Sequence, residues 1–479
     1  MPAAMRDVGI GFQPDQCRRH PRRAAEPDDD PIRLTCMLTR RETLTALAWL
    51  GVGGVGVPSL TACGTSASDS SAAGPLPSPE LALSDVSRDP GSATARLAGV
   101  RSVQALTGDL YRRLAAEPGN LVCSPYSVAV ALGMTLNGAR GRTATEMDHV
   151  LHTSSPAALD SGLNSLTQLL ESRAGRKRRA DRSAGTVSLD DANSLWGQHG
   201  TRWEPEFLGT LARSYGAGMR LVDFELAGDR ATTLINDWTA ARTHGKIPEI
   251  LQPGALDELT RLVLVNAIYF KAPWEEPFES TMTSRRPFHR AEGSRVDVDM
   301  MRTDLSLAAY SSGSGWRAAR VSYLGGELAM AVVVPDQGRL QAVEASLDGQ
   351  GLDRLLTSFR PVSALRLDLP RWAFRVSFEL NAQLAALGMP TAFDPAHADF
   401  SAMTSEEQLF ISQVVHQAFI SVDEHGTEAA AATAVVMDTM SLPAPAVVLT
   451  VDRPFLFVIF DVETATPLFI GRVSDPTIA

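Results

Sequence analysis

Nucleophilic catalysis needs a hydroxyl or thiol beside a base, and the chain offers no such arrangement. Its only lysines are Lys177, Lys246 and Lys271. No serine stands three residues before any of them, which removes the S-x-x-K nucleophile. The strained G-x-S-x-G elbow of a hydrolase is also absent. His149 and His152 form H-x-x-H without the glutamate of H-E-x-x-H, so they read as a helix-surface pair. Cys17, Cys36, Cys63 and Cys123 show neither C-x-x-C nor a histidine at zinc-finger spacing. Neither a disulfide framework nor a structural zinc is expected. No cofactor is implied, and the chain reads as a non-enzyme.

The most informative stretch is Glu424-His425-Gly426-Thr427-Glu428-Ala429-Ala430-Ala431-Ala432-Thr433, running on to Pro443. Four consecutive alanines favour helix on propensity alone. The flanks oppose it: Gly426 breaks the start, and Thr433, Val435 and Val436 favour extended chain. Pro443 and Pro445 stop either structure.

The elements that must carry this stretch belong to a large folded body. The chain has 479 residues, 44% hydrophobic and 21% charged, enough for a full core and too well mixed for disorder. A net charge of -11 excludes a nucleic-acid binder that works by neutralising phosphates.

Residues 1–36 are rich in Arg, Pro and Asp without apolar periodicity, and read as an overextended start or disordered leader. Residues 37–62 place Arg40-Arg41 before an apolar, glycine-rich stretch that ends at Pro58, the pattern of a signal peptide. Leu60-Thr61-Ala62-Cys63 resembles the lipobox of bacterial lipoproteins, which implies lipidation of Cys63, export and a cell-surface or extracellular location. Arg40-Arg41 also resembles a twin-arginine signal, although Thr43 replaces the usual bulky apolar residue; Sec export stays open. Residues 63–96, rich in Ser, Ala and Pro, read as a flexible tether, with the folded domain at 97–479.

Within that domain Val100, Val103, Leu106, Leu110 and Leu114 recur at helical spacing. Ser124-Pro125 supplies a cap followed by proline at the first helical position. Thr143-Ala144-Thr145-Glu146 reads as a capping box. Extended apolar runs follow at Thr186–Trp196, Leu262–Phe270, Leu328–Val334, Ala364–Leu369 and Phe455–Phe460, with helices such as Thr232–Thr243 and Leu380–Leu387 between them. The pattern predicts an α+β fold on large sheets with both faces covered.

The order of motifs resembles the serpin family over roughly Leu97 to Pro476. Glu424-x-Gly426-Thr427-Glu428 with its alanine run is similar to the hinge of inhibitory members. Asn266-Ala267-Ile268-Tyr269-Phe270-Lys271 with Trp274 is similar to the central strand and breach. Asp452-Arg453-Pro454-Phe455 is similar to the carboxy-terminal signature. Ser124-Pro125-x-Ser127, Asn236-Asp237-Trp238, Gly245-Lys246-Ile247 and Asp399-Phe400-Ser401-x-Met403 fit in the family's order.

The resemblance implies a serpin-like fold of three β-sheets, eight to nine helices and an exposed reactive-centre loop. It implies a protease inhibitor that acts as a suicide substrate: the loop is cut, inserts into the main sheet and traps the protease covalently. A non-inhibitory binding or scaffold protein is the alternative. Counting sixteen residues from the hinge Glu424, as in inhibitory members, places the reactive bond at Met440-Ser441, with a one-residue slip open and Met437 as the fallback, which would leave Asp438 after the cut and a shorter loop. An apolar Met440 suits chymotrypsin-like, elastase-like or subtilisin-like proteases. The inward face of an inserted loop, Thr427, Ala429, Ala431 and Thr433, is small throughout, and Glu428 is expected to face solvent. Ser124, Ser127, Asn266 and His416 match the polar shutter beneath the sheet. The expected partners are a serine protease and, through Cys63, a membrane; a monomer is expected. The basic run Arg173, Arg176, Lys177, Arg178, Arg179 and Arg182 reads as a solvated loop, with polyanion contact through Arg176 to Arg179 as the alternative.

Overall fold

Ser124 folds the first buried helix by a local device. Its hydroxyl accepts the Ser127 N–H, and Pro125 occupies the first turn. The helix that follows, Pro125–Leu136, is buried on every face, which only an apolar and hydroxyl-bearing sequence tolerates. The helix Ala93–Leu114 beside it buries Val100, Val103, Leu106, Leu110 and Leu114 as its periodicity predicts.

The computed structural model describes residues 79–179, 181–306, 308–428 and 447–478. All of them belong to one unit, Ala73–Ala479. Nine α-helices and three sheets lie among the described residues. None of these helices is long and apolar enough to cross a membrane.

Five strands of the main sheet concern function: β1 (Ala184–Gln198), β2 (Leu262–Pro273), β3 (Trp372–Glu379), β4 (Gln413–Val422) and β5 (Gly426–Thr427). The sheet runs Glu80–Ala82, Met219–Val222, β1, β2, β5, β4, β3. A second sheet holds seven strands, including Leu328–Pro335, Phe455–Asp461 and Thr466–Val473, each buried along its whole length. A third has four strands, with Val447–Thr450 parallel to Leu365–Pro370. The main core lies between the sheets. A smaller cluster sits under the helix Phe224–Arg242, where Ile235 meets Trp196, Val263, Val265 and Val415.

Several local expectations change. Of the segment read as a tether, residues from 79 join the body. Glu80–Ala82 pairs with the sheet edge at Met219–Leu221, Arg88 binds Asn164 and Glu171, and the first helix starts at Ala93 rather than near Leu97. The Thr143 capping box does not form. The helix begins at Gly141, and the Thr143 hydroxyl accepts the Asp399 N–H, while Glu146 accepts both the N–H and the hydroxyl of Thr391. The basic run is not a loop throughout, because Gly175–Arg178 pairs with Ala184–Val187 as a hairpin.

Candidate functional site

The chain turns sharply between β4 and β5. Asp423 makes the turn by accepting the N–H groups of His425 and Gly426 on its side chain. Gly426 then enters the main sheet at φ +155, with a Cβ position only 2.2 Å from the Ala272 carbonyl oxygen. Only glycine fits that approach. Gly426 and Thr427 pair with Pro273 and Ala272 of β2 on one side, and Thr427 with Val422 of β4 on the other. On propensity the Glu424–Ala432 stretch would be helical; the described part of it enters a sheet.

The surroundings hold this entry in place. Trp274 donates its N–H to the His425 carbonyl at 2.9 Å and its indole N–H to the Asp423 carbonyl at 3.0 Å. Its ring stacks on Tyr323 at 4.6 Å. The Tyr323 hydroxyl lies 2.6 Å from the Thr427 hydroxyl, so the buried Thr427 is paired. Glu424 is 2% exposed and binds Arg371 through both carboxylate oxygens, with Thr283 as a further donor. Burial opposes its ionisation, but the hydrogen bonds from Arg371 and Thr283 outweigh it and hold the carboxyl below its ordinary range.

Beneath Thr427 the sheet closes. Val263–Ile268 of β2 pairs directly and in parallel with Gln413–Ala418 of β4. The two strands are thus spread by one strand width at one end and joined at the other. Extending β5 would replace one parallel contact with two antiparallel ones, which makes more ladder bonds than it breaks.

A buried polar network sits where β2 and β4 join. The Ser124 N–H donates to Nε2 of His416 at 3.0 Å, and Nδ1 of His416 faces the Asn266 carbonyl oxygen. Nδ1 therefore carries the proton. The Asn266 amide donates to Ser127 at 2.7 Å and to Asn193 at 2.6 Å, and Ser127 donates to Asn193 at 2.5 Å. Ser124, Ser127, Asn266 and His416 are all fully buried.

Burial pushes the His416 pKa down to about 4, the Asn266 bond opposing only in part. A proton on Nε2 would also leave the Ser124 N–H without an acceptor. In the unfolded chain histidine titrates near 6.5, so between about 6.5 and 4 the unfolded state binds more protons. The stabilisation from neutral His416 is complete above about 6.5 and is lost as pH falls towards 4, a contribution of about 3 kcal/mol. Urea midpoints of the wild type should fall over that window. His416→Asn should show a shallower fall; an equal slope in the two proteins would contradict this assignment.

The structure thus gathers Ser124, Ser127, Asn266 and His416 into one network, and Glu424, Gly426, Thr427 and Trp274 at the sheet opening. Lys271 lies near the opening, on the same face of β2 as Val263, Val265 and Ala267, and its side chain has no hydrogen bond or ion pair among the described residues. Glu428 does not face open solvent as expected: its side chain is 13% exposed and its carboxylate lies 2.8 Å from Lys246. Ala429, Ala430, Ala431, Ala432, Thr433, Met440, Ser441 and Cys63 lie outside the described residues. Asn193, Tyr323, Arg371 and Thr283 were not singled out from the sequence. Much of the basic run is spent internally. Arg173 binds Asp461 and Glu463, Lys177 binds Glu327, and Arg179 binds the carbonyls of Trp274 and Glu275. Among the described residues no cluster of His, Cys, Asp and Glu could hold a metal ion.

The profile of one protein family, described as "Serpin (serine protease inhibitor)", matches residues 101–476. The chain belongs to the serpin family. Human leukocyte elastase inhibitor is 35% identical over 368 residues, covering 75% of this chain and 93% of that protein. An uncharacterized serpin-like protein of Thermococcus kodakarensis is 36% identical over 381 residues, covering 79% and 85%. Among solved structures, the thermophilic serpin tengpin in its native state has a TM-score of 0.71 at 27% identity, covering 82% of this chain and 97% of that one. Human glycosylated kallistatin has a TM-score of 0.70 at 28% identity, covering 81% and 100%. The fold is therefore the α+β serpin fold, with three sheets. Serpins are protease inhibitors and not catalytic enzymes, in keeping with a sequence that holds no nucleophile and base in a recognisable arrangement.

Proposed function

We propose that this serpin is inhibitory and acts as a suicide substrate. The observation that carries the reading is the two-residue strand β5, begun between β2 and β4 and continued in sequence by residues small enough to follow it. A target protease cuts the loop at Met440-Ser441, its serine forming an acyl bond to the Met440 carbonyl. The freed loop then enters between β2 and β4 and carries the protease with it. The protease's oxyanion hole is distorted before water can release the ester. About ten inserted residues at ~1 kcal/mol per backbone hydrogen bond give a release of about 10 kcal/mol, comparable to the stability of a whole domain.

Met440 is long, unbranched and uncharged, which suits the apolar primary pockets of chymotrypsin-like, elastase-like and subtilisin-like proteases. The similar human protein is named for inhibiting an elastase, which supports the same class. Incubation with chymotrypsin, elastase and subtilisin should yield a complex that survives hot detergent, with a new amino terminus at Ser441 and the Met440 carbonyl ester-linked to the protease serine. Clean cleavage without a complex would contradict inhibition and favour the non-inhibitory reading.

We also propose that the protein is exported and held at a membrane by lipid on Cys63, with residues 37–62 removed. The lipobox-like Leu60-Thr61-Ala62-Cys63 supports this. Mass spectrometry of the mature protein should find a diacylglyceryl-modified Cys63 at the amino terminus; an unmodified or upstream amino terminus would contradict it.

A further inference from the structure

Glu428 ends the described hinge in a conformation that no strand uses. Its φ is +51, in the left-handed region that side-chain-bearing residues seldom adopt. Such a geometry persists only when neighbours hold it. Here the Glu428 N–H donates to the Ser421 carbonyl at 2.8 Å, and the carboxylate meets the Lys246 ammonium at 2.8 Å. Lys246 is itself fixed: its ammonium lies 5.3 Å from the centre of the Phe419 ring, and its carbonyl accepts a bond from Arg375. The Tyr269 hydroxyl is pushed up to about 12 by burial and then by the charges of Glu428 and Asp190, so it stays neutral beside the pair.

The register beyond this point is set by what precedes it. Gly426 pairs with Pro273 and Thr427 with Ala272, antiparallel. One more residue in the same ladder places Glu428 opposite Lys271. Thr427 and Ala272 face the main core, so Glu428 and Lys271 face the other way, towards the helix Phe224–Arg242. The Lys271 side chain has no hydrogen bond or ion pair among the described residues. Opposite charges directly across an antiparallel pair attract. Two of the three lysines in the whole chain therefore flank the path of one glutamate.

We propose that Glu428 exchanges Lys246 for Lys271 as the loop enters the sheet: Lys246 is a positioning residue that holds the hinge back, and Lys271 receives Glu428 in the inserted state. The exchange rests on the inhibitory reading and adds the residues that set its rate. While Glu428 is held at φ +51, the strand ends at Thr427; turning Glu428 into strand geometry brings it into register with Lys271. A purely structural role for the lysines would make both losses act in the same direction, whereas an exchange makes them act in opposite directions.

The test is the rate of loop insertion after cleavage, read as the change in tryptophan emission on mixing with excess chymotrypsin. Lys246→Met is expected to speed insertion at least threefold and Lys271→Met to slow it at least threefold. In a Glu428→Gln background neither lysine substitution should change the rate. As a second readout, Lys271→Met should lower the melting temperature of the cleaved form and Lys246→Met that of the intact form. Insertion at the wild-type rate in both variants, slowing in both, or effects that persist with Glu428→Gln would overturn the exchange and leave the inhibitory reading standing. A cleaved wild type whose loop never inserts would overturn both.

Discussion

Thr427→Arg is expected to turn the protein from a trap into a substrate. Thr427 is 2% exposed, faces the core side of the sheet and meets the Tyr323 hydroxyl at 2.6 Å, in a wall formed by Trp274 and Phe270. A guanidinium there has no carboxylate to pair with, and Glu424 is already occupied by Arg371. Burying an unpaired cation costs several kcal/mol; about 4 kcal/mol on the insertion barrier slows entry about a thousandfold. Deacylation then overtakes insertion. With chymotrypsin the variant should be cut at the same bond while the number of inhibitor molecules consumed per protease rises from about one to more than about ten. A variant that still forms the complex at near-equal stoichiometry would show that a small side chain at 427, between β2 and β4, is not required for the rest of the loop to follow.

Much of the fold was legible because its signals are local. The run Leu328–Val334 is apolar at every position and Leu262–Phe270 is apolar apart from Asn266 and the Tyr269 hydroxyl, and both become strands buried on both faces. Ser124-Pro125 announced a helix start that the structure keeps. The opening of the hinge was legible through its resemblance to the serpin hinge, and the structure starts a strand there at Gly426 and Thr427.

What escaped depends on partners distant in sequence. Arg371 and Thr283 reach Glu424, and Tyr323 reaches Thr427, across separations that no spacing rule spans. Asn193 joins the buried network through its register with Asn266, and nothing in Asp190-Asp191-Ala192-Asn193 sets it apart. Gly175–Arg178 carries three charges in four residues and forms a strand only because the long β1 offers it an edge. Glu80–Ala82 is three residues long in a stretch dominated by Ser and Pro, and the edge of the main sheet supplies its order. The Thr143 box failed because tertiary contacts took both of its side chains.

The larger effect concerns the stored energy itself. In the present arrangement β2 and β4 pair directly over Val263–Ile268 and Gln413–Ala418, and β5 stops after two residues. On the proposed mechanism, cleavage of the loop would free the chain beyond Thr427 to fill the space between them. One interface would become two, the small side chains of Ala429, Ala431 and Thr433 would enter the inner face, and about 10 kcal/mol would be released. For a domain of this size that corresponds to a rise in melting temperature of more than about 10 °C.

The decisive measurement is therefore the melting temperature of the purified protein before and after a single nick in the loop between residues 433 and 441. The account predicts that the nicked protein, with both pieces still associated, melts well above the intact one. A nicked protein that melts at or below the intact temperature would mean that the gap above the β2 and β4 junction does not receive the loop, and the proposed trap would have no driving force.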